Sequence, residues 1–215
     1  MIRNTVLFDL DGTITDSGEG IINSAAMTLE RFWLPVPDRQ TMREFVGPPL
    51  HDTFVKFGVC PQEADRAVEI YRSRYHTIGK YENAPYPGIR QLLEDLKNVG
   101  FRLLIATSKP EQLSVEILEH FDLAKYFDRI CGATLDRSRI TKSDVIAYLL
   151  NDFQAPTHTI MVGDTAYDVI GAASHGIPTI GVTWGYGTVQ ELTNAGAIAI
   201  ANNTETLYSL LTCPY

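Results

Sequence analysis

The sequence predicts an α/β fold, a parallel sheet with helices on both faces, interrupted after its first strand by an all-helical insertion. Three observations carry this. Short, nearly continuous apolar runs recur at Thr5 to Leu10, Arg102 to Ala106, Thr159 to Val162 and Ile177 to Val182. Helix-period segments alternate with them after Gly88. Between residues 20 and 80 there are several helical patterns and no convincing strand. Apolar runs without alternation are expected of strands buried on both faces, and their alternation with helices marks a parallel sheet.

Thr5 to Leu10 is the first strand. From Glu19 the period becomes helical, with Ile21, Ile22, Ala25, Leu29 and Phe32 at helix spacing. Asp16 and Glu19 have the spacing of an N-cap and its reciprocal partner. Pro35 and Pro37 close that helix. Further helices are expected over 39–46, 50–57 and 62–79, split by Gly47-Pro48-Pro49 and by Gly58 through Pro61. After Tyr86-Pro87-Gly88, helices at Ile89 to Val99, 110–120, Thr141 to Leu150, 165–175, 188–195 and 204–211 alternate with strands. Those strands include the short Arg129 to Cys131 and Ala197 to Ile200. The expected domains are a core of residues 1–16 and 84–215 and a helical domain of residues 17–83. The insertion leaves from the carboxyl end of strand one, the edge where ligands bind in such sheets.

Composition narrows the function class. The chain has 215 residues, 45% hydrophobic and 20% charged, ordinary for a globular protein. A formal charge of −8 without any Lys/Arg run argues against a nucleic-acid partner. Cys60, Cys131 and Cys213 are odd in number and widely spaced, so neither a disulfide framework nor a zinc knuckle is implied. No apolar run of about 18 residues and no export signal appear, so no membrane partner is expected and the cytoplasm is the expected compartment. A monomer or a homodimer is expected.

The informative polar residues all end strands. Asp9 and Asp11 follow Val6-Leu7-Phe8, and Thr107, Ser108 and Lys109 follow Leu103-Leu104-Ile105-Ala106. Gly163-Asp164 follows Ile160-Met161-Val162, with Asp168 one helical turn later, and Lys142 opens a helix. Right-handed crossovers bring these strand ends to one rim. Each feature alone has an ordinary explanation: a solvated turn, a cap, a surface lysine. Together, in chain order, they form a cluster with excess acid. Such a cluster needs a cation, and oxygen-only ligands point to Mg²⁺.

These residues resemble the haloacid dehalogenase superfamily. Asp9-Leu10-Asp11-Gly12-Thr13 matches its first motif, D-x-D-G-[TV], Thr107 its second and Lys142 its third. Gly163-Asp164-Thr165-Ala166-Tyr167-Asp168 matches the fourth, G-D-x-x-x-D. The insertion looks like the C1 cap of the phosphoglycolate phosphatase-like branch, and the segments 106–110 and 181–187 also resemble that branch.

The resemblance implies a Rossmann-like core and a two-step phosphoryl transfer. Asp9 is the expected nucleophile, and Asp11 the acid–base that protonates the leaving oxygen and then activates water. Thr107, with the Ser108 amide, is expected to bind a phosphoryl oxygen, and Lys142 to balance charge. Mg²⁺ is expected on Asp9, the Asp11 carbonyl and Asp164, with Asp168 close by. Gly12, Thr13, Ser108 and Lys109, and from the insertion Arg43 and Gly47, are expected to contact substrate. Hinges are expected near Asp16-Ser17 and Pro85 to Gly88.

The expected substrate is a small phosphorylated metabolite, phosphoglycolate-like, with 5′-nucleotidase, pyrophosphatase, and sugar-phosphate phosphatase or phosphoglucomutase as alternatives. Asp11 argues against a dehalogenase, and Lys56 and Lys80 lack the support a phosphonatase would need. A phosphate-binding regulatory protein without turnover is the non-enzyme alternative.

Overall fold

The computed structural model describes residues 5–136, 138–152 and 158–213. The chain divides into two compact units, Met1–Thr15 with Pro85–Tyr215, and Asp16–Ala84. In chain order the elements are β1 (Thr5–Phe8), β2 (Thr15–Asp16), α1 (Gly18–Arg31), α2 (Arg39–Met42), α3 (Leu50–Lys56), α4 (Ala64–Tyr75) and β3 (Ala84–Pro85). They continue with α5 (Ile89–Asn98), β4 (Arg102–Pro110), α6 (Glu111–His120), β5 (Arg129–Ala133), α7 (Lys142–Asp152) and β6 (Thr159–Gly163). The last are α8 (Ala166–Ala173), β7 (Thr179–Val182), α9 (Val189–Ala195), β8 (Ala199–Ala201) and α10 (Thr204–Thr212).

The larger unit is a six-stranded sheet in the order β5-β4-β1-β6-β7-β8, and its neighbouring strands pair in parallel. Leu7 of β1 lies opposite Leu104 of β4 and Met161 of β6. Successive side chains of a strand point to opposite faces. Val6 and Phe8 accordingly join the core of Leu93, Leu96, Leu103 and Ile105, while Leu7 joins that of Leu104, Val145, Ile146 and Leu149. Both faces of β1 are therefore dry, which is why its sequence shows no alternation. The strand order reverses at β1, between β4 and β6, and the carboxyl ends there form the crevice where such sheets bind ligands.

The larger unit departs from the sequence expectation in several details. β4 runs to Pro110, because pairing with β5 resumes at Pro110–Ala133 after an irregularity that begins at Ala106. Thr107, Ser108 and Lys109 thus lie within a bulged strand end, and α6 starts after Pro110. The two-residue strands β2 and β3 pair with each other and carry no sequence signal at that length.

The smaller unit is helical. Phe45 packs on Phe54 and Phe57, with centroids 5.0 and 4.6 Å apart, and Tyr71 stacks on Tyr75. The helix expected over 39–46 stops at Met42 and continues as a 3₁₀ turn, Arg43–Phe45. Gly47, at φ +105°, then reverses the chain, a conformation open chiefly to glycine. The helix expected over 62–79 spans only Ala64–Tyr75. The following chain must close on α1, where a Cβ on Gly20 would lie 1.9 Å from the Gly79 carbonyl oxygen. The Asp16–Glu19 cap does not form. Asp16 lies in β2, α1 begins at Gly18 with Ser17 at its N-cap, and the Asp16 carboxylate accepts the Gly18 N–H at 3.3 Å. No described helix is long and apolar enough to cross a membrane.

Candidate active site

The end of β1 is a tight turn. The Asp9 N–H donates to the Val162 carbonyl, and the N–H groups of Thr13, Ile14 and Thr15 all converge on the Leu10 carbonyl, at 3.3, 2.9 and 3.0 Å. Gly12 holds φ +84°, and a Cβ there would sit 2.2 Å from Asp164 Oδ2. Only glycine admits the Asp164 carboxylate this close to the turn.

Lys142 enters from the first residue of α7 with its ammonium buried. Nζ lies 2.6 Å from Asp9 Oδ1 and 2.8 Å from Asp168 Oδ1, and donates to the Ala106 carbonyl at 2.8 Å. The two carboxylate contacts are close ion pairs, and neither Asp9 Oδ1 nor Asp168 Oδ1 has a hydrogen-bond partner among the described residues. Asp168 Oδ2 accepts from the Thr165 N–H and hydroxyl in a capping box that opens α8. Asp164 is completely buried. Its Oδ1 accepts from the Thr13 hydroxyl at 3.2 Å, and its Oδ2 from the Tyr186 N–H at 2.8 Å. Asp11 turns the other way, and both its oxygens accept from Lys109 Nζ, at 2.9 and 2.8 Å.

The electrostatics are unbalanced. Burial pushes the Asp9 carboxyl up to about 6; Lys142 opposes this, and Asp168 and Asp11 add to it. Asp164 is raised well above the ordinary carboxylate range, first by burial and then by Asp168 and Asp9. Burial disfavours the Lys142 ammonium, yet Asp168 and Asp9 together more than offset this, and its pKa ends up raised. Four carboxylates, Asp9, Asp11, Asp164 and Asp168, face two ammoniums, Lys109 and Lys142, and four less two leaves a formal excess of two negative charges. Asp9, Asp164 and Asp168 can each offer a carboxylate oxygen within 4.8 Å of the others.

The expected residues therefore fall into groups. Asp9, Lys142, Asp164, Asp168 and Thr13 form one linked cluster, and Asp11 with Lys109 forms a second pair at the same strand ends. Asp11 does not belong to the carboxylate trio; its expected place as a metal ligand rests on its backbone carbonyl alone. Thr107 is buried, and its Oγ1 accepts the Lys109 N–H at 3.2 Å; Ser108 beside it is half-buried. Arg43 and Gly47 are exposed in the helical unit.

The loop after β7 is a contributor that residue chemistry alone did not single out. The Trp184 indole N–H donates to the Thr13 carbonyl at 3.0 Å, and a Cβ on Gly185 would lie 2.3 Å from Asp164 Oδ2. Gly185 and Gly187, closely following an apolar strand, were the available signal, since glycine there permits close backbone approach.

Comparison with known proteins places this chain in a family. The sequence profile described as haloacid dehalogenase-like hydrolase matches residues 6–182. The chain is 44% identical over 183 residues to the protein named tyrosine-protein kinase PtkA of Mycobacterium tuberculosis, covering 85% of this chain but only 62% of that relative. It is 41% identical over 189 residues to the 5′-nucleotidase of Pseudomonas aeruginosa, covering 87% of this chain and 86% of that protein. A crystal structure titled as a predicted phosphatase from Clostridium acetobutylicum superposes with a TM-score of 0.92 at 45% identity, over 98% of this chain and 99% of that one. The chain belongs to the haloacid dehalogenase-like hydrolases.

Proposed function

We propose that this protein is a Mg²⁺-dependent phosphatase of a small phosphorylated metabolite that works through an aspartyl phosphate on Asp9. The observation that carries the reading is the charge excess: with both buried lysines paired, two negative charges remain at the strand ends. That is the charge of one divalent cation, and an all-oxygen donor set suits Mg²⁺. Asp9, Asp164 and the Asp11 carbonyl would hold the ion, with Asp168 alongside, and bound there it would neutralise carboxylate and phosphoryl charge.

The protein's own groups do the rest. An Asp9 carboxylate oxygen bonds to phosphorus as the ester P–O bond breaks, and Asp11 gives its proton to the departing oxygen. Asp11 then takes a proton from water, whose oxygen bonds to phosphorus and releases Asp9 and inorganic phosphate. Lys142, already on Asp9, keeps that oxygen aimed and offsets the charge that builds beside it. Thr107 and the Ser108 amide accept the role of phosphoryl-oxygen donors. Arg43 and Gly47 of the helical unit remain candidates for substrate selection.

Phosphoglycolate-like monoesters are the first substrate class to test. A 5′-mononucleotide is the second, favoured by the 41% identity to a protein named 5′-nucleotidase. The test is phosphate release across phosphoglycolate, 5′-mononucleotides, pyrophosphate and sugar phosphates, ranked by kcat/KM. Mg²⁺-dependent release that EDTA abolishes is expected. A well-folded protein that hydrolyses none of them would shift the reading to a phosphate-binding regulator. Transfer of the γ-phosphate of ATP to a tyrosine peptide would redirect it towards the activity for which the Mycobacterium relative is named.

A further inference from the structure

Lys109 is the second buried ammonium of the rim. Its partner is Asp11. The contact is two-pronged, both side chains are largely shielded from water, and the partners lie 98 residues apart in sequence. The lysine is held from behind as well. Its N–H is accepted by Thr107 Oγ1, and β5 presses so close that a Cβ on Gly132 would lie 2.4 Å from the Lys109 carbonyl oxygen. Two residues further on, Glu111 accepts the Gly132 N–H at 3.2 Å and an Arg139 N–H at 2.8 Å, which ties this stretch to β5.

We infer that Lys109 is the positioning residue for Asp11: it fixes where the acid–base carboxylate stands relative to the leaving oxygen, rather than binding substrate itself. This rests on the proposed role of Asp11 as proton donor and acceptor. The geometry is compatible with that role. A carboxylate oxygen has two lone pairs, and the ammonium uses one on each, so the second remains for the leaving group or for water. A short side chain at a strand end has rotamer freedom that a bidentate ion pair removes, and misplacement of a catalytic group by about 1 Å costs on the order of 100-fold in rate. The positive charge also offsets the repulsion between Asp11 and Asp9, two residues away.

The test compares Lys109→Met and Lys109→Arg with wild type on two esters in Mg²⁺: p-nitrophenyl phosphate, whose leaving group needs little protonation, and glycerol phosphate, whose alkoxide needs it. In Lys109→Met, kcat/KM for glycerol phosphate falls about 100-fold while that for p-nitrophenyl phosphate falls no more than about threefold. Lys109→Arg recovers most of the loss. In an Asp11→Asn background, Lys109→Met has no further effect, because the residues act as a unit. Crystals of Lys109→Met show Asp11 spread over more than one rotamer. Equal losses on both esters overturn the inference. So does a common rise in KM at unchanged kcat, which would make Lys109 a phosphate binder. If the wild type hydrolyses neither ester, the phosphatase reading is decided by the metabolite panel, and the Asp11 rotamer alone decides this one: a single unchanged rotamer without Lys109 overturns it.

Discussion

Two carboxylate–cation assemblies in this chain are built in opposite ways. In the helical unit, Arg74 meets Glu82 one to one through two N–H···O bonds of 2.7 and 2.8 Å, and Arg74 also donates to Ser24 Oγ. The Arg74 hydrogen bonds hold the Glu82 carboxyl below its ordinary range. At the strand ends of the larger unit the acids outnumber the lysines; Asp9 is pushed upward by burial, Asp168 and Asp11, and Asp164 by burial, Asp168 and Asp9. The first assembly is complete as it stands. The second, on the reading proposed here, would be completed by a divalent cation. A folded chain that keeps an incomplete, buried acidic cluster gives up stability for chemistry, and this is where perturbed carboxylates are expected to mark function.

The largest effect that breaks the comparison is on activity. Asp9→Asn removes the nucleophile and relieves repulsion, so phosphate release falls about 10⁴-fold or more while the melting temperature stays level or rises. Retained turnover would mean that another group attacks phosphorus. Lys142→Met strips the ammonium from two buried carboxylates at once and destabilises the metal-free protein by about 3–5 kcal/mol, read by urea unfolding.

The pH dependence separates the assemblies by sign. Asp9 titrates near 6 when folded and near 3.8 ordinarily, so the folded state binds its proton more tightly. Stability from this group is fully present below about pH 4 and is lost as pH rises through about 6, a change on the order of 2–3 kcal/mol. Glu82 is depressed, so its contribution is present at neutral pH and lost on acidification. Urea midpoints of metal-free wild type and Asp9→Asn, compared from pH 4 to 7, isolate the Asp9 part: the wild type loses stability relative to the variant, and Mg²⁺ reverses the loss. Smallest is Glu82→Gln, which weakens a partly buried charged pair and costs about 1–2 kcal/mol with no metal dependence.

What could be read from residues alone divides along the same line. β1, β4, β6 and β7 were legible because strands buried on both faces show as unbroken apolar runs, and Asp9, Asp11 and Asp164 stood out because they follow such runs, with Asp168 one helical turn beyond. The helix limits in the smaller unit were not, because Gly20 against Gly79 and the 3₁₀ turn at Arg43–Phe45 are set by packing between distant segments. Nor was the partner of Lys109, since nothing in the segment Thr107-Ser108-Lys109 reports that its ammonium meets Asp11, 98 residues away. The indole bond from Trp184 to the Thr13 carbonyl spans 171 residues and is likewise a property of the fold.

The central claim is that Asp9 carries the phosphoryl group between the two steps. Borohydride added during turnover reduces an aspartyl phosphate to homoserine, and peptide mass spectrometry locates the change. The account predicts homoserine at position 9 in the presence of Mg²⁺ and substrate and none when either is withheld. An unaltered Asp9 during sustained turnover, or homoserine at Asp164 instead, would contradict it.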